Sequence, residues 1–202
     1  MKRNYLVGYK VFFSLLGFSA IVTEIAVLWA NGKLVPSNFF SFFTIETNIL
    51  VVVTFILSAF AVASGARRRW LDILRSMTTV YILVVGIGFA VLLSGLQGVA
   101  LTAVPWDNTV LHYIIPVAVL VDFLIDRPKT KIKFKTGLLW VSFPIMYVIY
   151  SLIRGAIVGW YPYPFLNPDL KGFGAVGVTV LGLVILGIIL IAVVTWLTRQ
   201  KK

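Results

Sequence analysis

Long apolar runs separated by short polar ones fill nearly the whole chain. Stretches rich in Leu, Ile, Val, Phe and Ala occupy roughly residues 7 to 30, 38 to 63, 71 to 95, 106 to 125, 136 to 157 and 172 to 197. Each approaches the ~20 residues that an α-helix needs to cross the hydrocarbon core of a bilayer. The runs are continuous, whereas lipid-facing strands of a barrel alternate apolar with polar positions. Helices also satisfy every backbone donor within the segment. The predicted fold class is therefore all-α, a polytopic bundle of six transmembrane helices. The polar gaps are too short to bury a core of their own, so residues 1 to 202 form one domain. The first span exceeds the ~7 to 15 apolar residues of a secretory signal and no small-residue cleavage site follows it, so it is read as retained.

The net charge of +11 would suit a nucleic-acid partner, but the placement of the 18 basic residues argues against one. Fifteen of them fall on one side of a six-span topology: Lys2, Arg3 and Lys10, then Arg67, Arg68, Arg69 and Arg75, then Arg127, Lys129, Lys131, Lys133 and Lys135, and finally Arg199, Lys201 and Lys202. Only Lys33, Arg154 and Lys171 lie on or near the other side. This bias predicts a cell-membrane protein with both termini and the basic loops in the cytoplasm. The alternating basic residues from Arg127 to Lys135 would also attract anionic lipid headgroups. With no cysteine and one histidine, thiol chemistry, disulfides and a dedicated transition-metal site are not expected, and no cofactor is implied.

Candidate chemistry lies in the ionisable and polar residues within the spans, which are expected to share one depth near the outer surface. Glu24 sits about six residues below the outer end of the first span, or roughly 9 Å. Thr44, Glu46, Thr47 and Asn48 on the second span reach a similar depth. Asn108 and His112 enter from the fourth span, and Tyr147, Tyr150, Ser151 and Arg154 from the fifth. Thr44, Thr47 and Asn48 share a helical face, as do Asn108 and His112 on a stripe running through Ile115, Val119 and Asp122. Charged residues at membrane depth face the bundle interior and commonly serve function. A structural reading also stands, in which Glu24 or Glu46 pairs with Arg154. The loop Gly159-Trp160-Tyr161-Pro162-Tyr163-Pro164-Phe165-Leu166 would anchor at the interface and roof the polar layer. The apolar third loop, from Gly95 to Pro105, is expected along the membrane surface. Glycines 174, 177, 182 and 187 on the sixth span are expected to permit close helix packing.

Three patches carry a resemblance: Phe42-Phe43-Thr44-Ile45-Glu46, Asn108-Thr109-Val110-Leu111-His112 leading to Pro116, and Trp160-Tyr161-Pro162-Tyr163-Pro164-Phe165-Leu166. In their order along six spans the chain resembles the membrane family of the androgen-induced proteins and the androgen-dependent regulator of tissue factor pathway inhibitor. Animal members are threonine hydrolases of fatty-acid esters of hydroxy fatty acids and carry an aspartate where this chain has Glu46. The resemblance implies a Thr44 nucleophile, a His112 general base and a membrane lipid or lipid-like ester as substrate. Asn48, Asn108 or Tyr150 would then donate to the oxyanion, with Glu46 or Glu24 orienting the imidazole and Thr47 and Tyr147 completing the pocket. The alternative is a non-enzymatic binding or transport protein that holds a small ligand or lipid with Glu24, Glu46, His112 and Arg154.

Overall fold

The computed structural model describes residues 2–95 and 102–200. Among the described residues the chain is all-helical, and six helices are long and apolar enough to cross a membrane. They are α1 (Arg3–Ala30), α2 (Phe43–Ser64), α3 (Arg69–Leu92), α4 (Pro105–Ile125), α5 (Phe134–Val158) and α6 (Pro168–Arg199). These are the six expected spans, with ends that differ for local reasons. Pro36–Phe39 makes a separate turn, and Phe42 is extended (φ −81°, ψ 123°), so α2 starts at Phe43 rather than near residue 38. In α6, Gly172 adopts φ +77°, ψ 149°, a conformation that suits glycine, and separates the first turn from the long helix after it. The expected course of the third loop lies largely outside the described residues.

Helix α1 packs along α2, while α3 contacts α2, α4 and α6. Helix α5 meets the bundle largely through rings: Phe143 and Tyr147 lie 5.7 and 5.0 Å from Phe43, and Phe143 lies 5.4 Å from Tyr81. Close approach depends on glycines other than those expected. A Cβ on Gly86 of α3 would sit 2.9 Å from Pro116, and one on Gly137 would sit 2.6 Å from Ile191. A Cβ at Gly174, Gly177, Gly182 or Gly187 would meet nothing within 4 Å. The α6 glycines thus do not bring helices of this chain together, and most of α6 faces outward.

A second expectation fails, because the ionisable residues within the spans do not share one depth. At the opposite end from Thr44 and His112, Lys10 is completely buried against Asp122 and lies 3.2 Å from Asp126. Arg75 bonds Asp122 at 2.9 Å and the Asp126 carbonyl at 2.6 Å, and Arg67 pairs with the Asp126 carboxylate. Burial alone would raise the Asp126 carboxyl, but Arg75, Lys10 and Arg67 outweigh it and hold its pKa below the ordinary value. Nearby, Asp72 accepts the backbone N–H groups of Lys129 and Thr130 at 3.0 and 2.9 Å, and Thr198 Oγ1 accepts that of Ile132 at 3.1 Å. The basic loop is thereby tied to α3 and α6, with Lys129, Lys131, Lys133 and Lys135 outward and Pro128 and Ile132 inward.

Lys10 and Arg75 are thus structural cations joining α1, α3 and the end of α4. Removing one partner of a buried pair strands the other charge, at a typical cost of ~3 to 5 kcal/mol. Asp122→Ala, which leaves Asp126 to hold both cations, is expected to lower stability by roughly 3 kcal/mol in thermal unfolding of the detergent-solubilised protein. An unchanged melting midpoint would contradict this assignment.

Candidate active site

Thr44 lies in the first turn of α2, where the four initial N–H groups have no partner within the helix. Its i−4 carbonyl would belong to Phe40, before the helix begins, so its hydroxyl lacks the usual backbone acceptor. The hydroxyl instead lies 3.3 Å from His112 Nε2 and 3.1 Å from the Tyr163 hydroxyl. The Thr44 N–H donates to the same Tyr163 oxygen at 3.1 Å. All three side chains are buried.

The direction of these bonds follows from what each atom can donate. His112 Nδ1 lies 3.0 Å from the carbonyl oxygen of Asn108. A carbonyl only accepts, so in the neutral ring the proton sits on Nδ1 and Nε2 is the acceptor facing Thr44. The Thr44 hydroxyl therefore donates to Nε2, and its oxygen is free to accept from Tyr163. One ordered chain results: Tyr163 O–H to Thr44 Oγ1, and Thr44 O–H to His112 Nε2.

Local backbone chemistry holds His112 in place. Pro116 has no N–H, so the His112 carbonyl lacks its ordinary i+4 donor, and the Pro ring crowds that carbonyl. The helix widens there into a π turn over Val110–Ile114, a local irregularity often found at functional sites. Gly86 allows α3 to approach this turn, since a Cβ there would stand 3.3 Å from the His112 carbonyl oxygen. Phe89 stacks on the imidazole with ring centres 4.0 Å apart. Asn48, fully buried, donates to the Thr44 carbonyl at 2.9 Å and the Leu111 carbonyl at 3.3 Å, clamping the turns that carry threonine and histidine.

Two cavities meet at this point, sharing Thr44, His112, Tyr163 and Leu93 as walls. One, about 180 Å³, is almost wholly apolar and extends past Val84, Gly88, Val148, Val184 and Gly187 between α3, α5 and α6. Its lining also includes Ile145 and Ile149, which are exposed on the outside of the bundle. The other, about 480 Å³, is mixed and the more polar of the two, with Glu24, Asn31, Lys33, Asn38 and Thr102 beside Leu28, Val35, Phe39, Phe42 and Leu111. The hydroxyl and imidazole thus stand between a hydrocarbon-like chamber and a partly polar one.

The other candidate residues separate into different roles. Glu24 accepts the Ala103 N–H with both carboxylate oxygens, at 2.9 and 2.8 Å, and lines the more polar cavity without touching the imidazole. Glu46, half-buried, has no hydrogen-bond partner for one buried oxygen. Thr47 is buried with its hydroxyl unpartnered, and the Asn108 side-chain oxygen is likewise unpartnered. Tyr147 donates to the Ser41 carbonyl at 2.9 Å, and Tyr150 bonds the Ser41 hydroxyl at 2.9 Å. Arg154 bonds Asn38 at 2.6 Å and lies over the Trp160 ring at 5.1 Å. Among the described residues it pairs with neither Glu24 nor Glu46, and a backbone carbonyl, not either acid, holds the histidine. Tyr163 was singled out only as part of the aromatic loop; its place on Thr44 was not anticipated.

The loop also roofs the site. Phe42 lies 5.6 Å from both Trp160 and Tyr163, and Tyr163 stacks on Phe165 at 5.0 Å. Gly155 makes room for the returning chain, since a Cβ there would fall 2.1 Å from the Tyr161 ring. Comparisons with protein-family models, with curated proteins and with solved structures return no match to this chain.

Proposed function

We propose that this protein is an intramembrane hydrolase of lipid-like esters, with Thr44 as nucleophile and His112 as general base. The observation that carries the reading is the contact between Thr44 Oγ1 and His112 Nε2, 3.3 Å apart, at the boundary of an apolar cavity and a more polar, mixed one. The resemblance to the threonine hydrolases of hydroxy fatty acid esters points the same way. In this reading an acyl chain occupies the apolar chamber, reached from the bilayer past Ile145 and Ile149. The alcohol half of the ester lies in the more polar cavity, which also supplies water.

The chemistry follows a two-step acyl transfer. The Thr44 O–H proton moves to Nε2 as Oγ1 bonds the ester carbonyl carbon, and the carbonyl electron pair shifts onto oxygen. When the carbonyl re-forms, the C–O bond to the alcohol breaks and the alcohol leaves with the proton from Nε2. Water, deprotonated by the same nitrogen, then attacks the acyl-threonine ester. The carboxylic acid departs as Thr44 regains its proton. Thr44 lies where the positive end of the α2 dipole favours charge building up beside it.

The purified protein in detergent is expected to hydrolyse a long-chain ester, with Thr44→Ala or His112→Ala lowering kcat by roughly 10³-fold or more. Hydrolysis unaffected by both substitutions would refute the assignment. We further place the protein in the cell membrane with both termini and the basic loops on the cytoplasmic side, on the strength of the basic-residue bias. The chain lacks cysteine, so single introduced thiols report cleanly. Lys33→Cys should react with an impermeant maleimide on intact cells, and Lys131→Cys only after permeabilisation; the reverse pattern would invert the orientation.

A further inference from the structure

Tyr163 lies outside the threonine–histidine pair, yet its hydroxyl is 3.1 Å from the reacting oxygen. We propose that Tyr163 is a third catalytic residue, whose O–H stabilises the oxyanion formed when Thr44 attacks; the proposal rests on the hydrolase reading above.

The assignment follows from proton bookkeeping at one oxygen. The Tyr163 oxygen accepts the N–H of Thr44, which fixes its position over the start of α2. Its single proton needs an acceptor, and Thr44 Oγ1 is the oxygen within reach that can take it. As Oγ1 bonds the ester carbon and gives its proton to Nε2, it becomes a weaker acceptor than the negatively charged oxygen forming on that carbon, so the phenol's better partner is now the oxyanion. The oxyanion then stands two bonds from Oγ1, in the region the O–H already faces. The phenol moves no proton permanently: it donates a hydrogen bond while charge sits on the carbonyl oxygen, and returns to Oγ1 when the acyl-threonine is hydrolysed.

Two of the other candidate donors are committed elsewhere. The Asn48 amide spends its N–H groups on the carbonyls of Thr44 and Leu111, and Tyr150 is engaged with Ser41. The Tyr163 ring is held by Phe42 and Phe165, so the hydroxyl arrives pre-positioned. Burial, the largest influence, pushes the phenol up to about 12, so the group remains a donor through the physiological range. The residue also forms part of the wall shared by the two cavities, where the ester carbonyl would lie.

Tyr163→Phe keeps the ring contacts and removes the hydroxyl, which is both the donor to Oγ1 and the acceptor of the Thr44 N–H. Loss of one oxyanion donor typically costs ~10² to 10³ in kcat, and a fall of at least about a hundredfold is expected, with KM within about twofold and only a small drop in the melting midpoint from the lost Thr44 N–H bond. A Tyr163→Phe enzyme that turns over like the parent would overturn the proposal while leaving the threonine–histidine reading intact. A parent protein that neither hydrolyses esters nor reacts with a fluorophosphonate would remove the reaction and this role together. If Tyr163→Phe fails to fold, 3-fluorotyrosine at 163 keeps both shape and donor and has a more acidic phenol. Alkaline loss of activity should then begin at lower pH than in the parent, and an unmoved alkaline limb would overturn the role.

Discussion

Hydrocarbon offers a buried polar group no partner, so a membrane-spanning bundle is stabilised where its buried polar groups find partners within the chain. This constraint organises the molecule into two polar layers separated by apolar packing. At one end the cations Lys10, Arg67 and Arg75 meet Asp122 and Asp126. At the other, uncharged donors and acceptors form a directed chain through Tyr163, Thr44 and His112 to the Asn108 carbonyl. The two layers do different work. The ionic one ties the helix ends and the basic loop together, and the hydrogen-bonded one leaves a hydroxyl facing open space.

That openness distinguishes the layer around Thr44 and His112. Among the described residues, the voids found beside the ionic cluster are about 10 Å³ each, whereas Thr44 and His112 border cavities of about 180 and 480 Å³. Several irregularities of the backbone converge on the same place: the extended Phe42, the π turn before Pro116, and the proline-stiffened loop carrying Tyr163. Each exposes a group that a regular helix would have consumed, which is how a few polar atoms acquire directionality inside an apolar bundle.

The helices were legible because continuous apolar runs of membrane length admit few other structures, and all six expected spans begin within about five residues of the observed helices. Part of the site was legible too, since helical spacing places Thr44, Thr47 and Asn48 on one buried face and the half-buried Asn108 one turn before the buried His112. What spacing does not encode is rotation between helices. It left Arg154 as a partner for Glu24 or Glu46, whereas the guanidinium reaches Asn38 and Trp160. It also hid the ionic layer, because Lys10 and Arg75 sit near span ends and look like flanking charges until Asp122 is seen opposite them. Tyr163 escaped for a different reason: a loop tyrosine among prolines has the composition of an interfacial anchor, and only the return of the loop over α2 reveals its hydroxyl on Thr44.

The central claim is that the Thr44 oxygen is the nucleophile, which a covalent adduct tests directly. A long-chain fluorophosphonate added to the purified protein should leave its phosphonyl group on the Thr44 side chain, located by tandem mass spectrometry of the peptide spanning the start of α2. An adduct on another residue, or one that survives Thr44→Ala, would contradict the account.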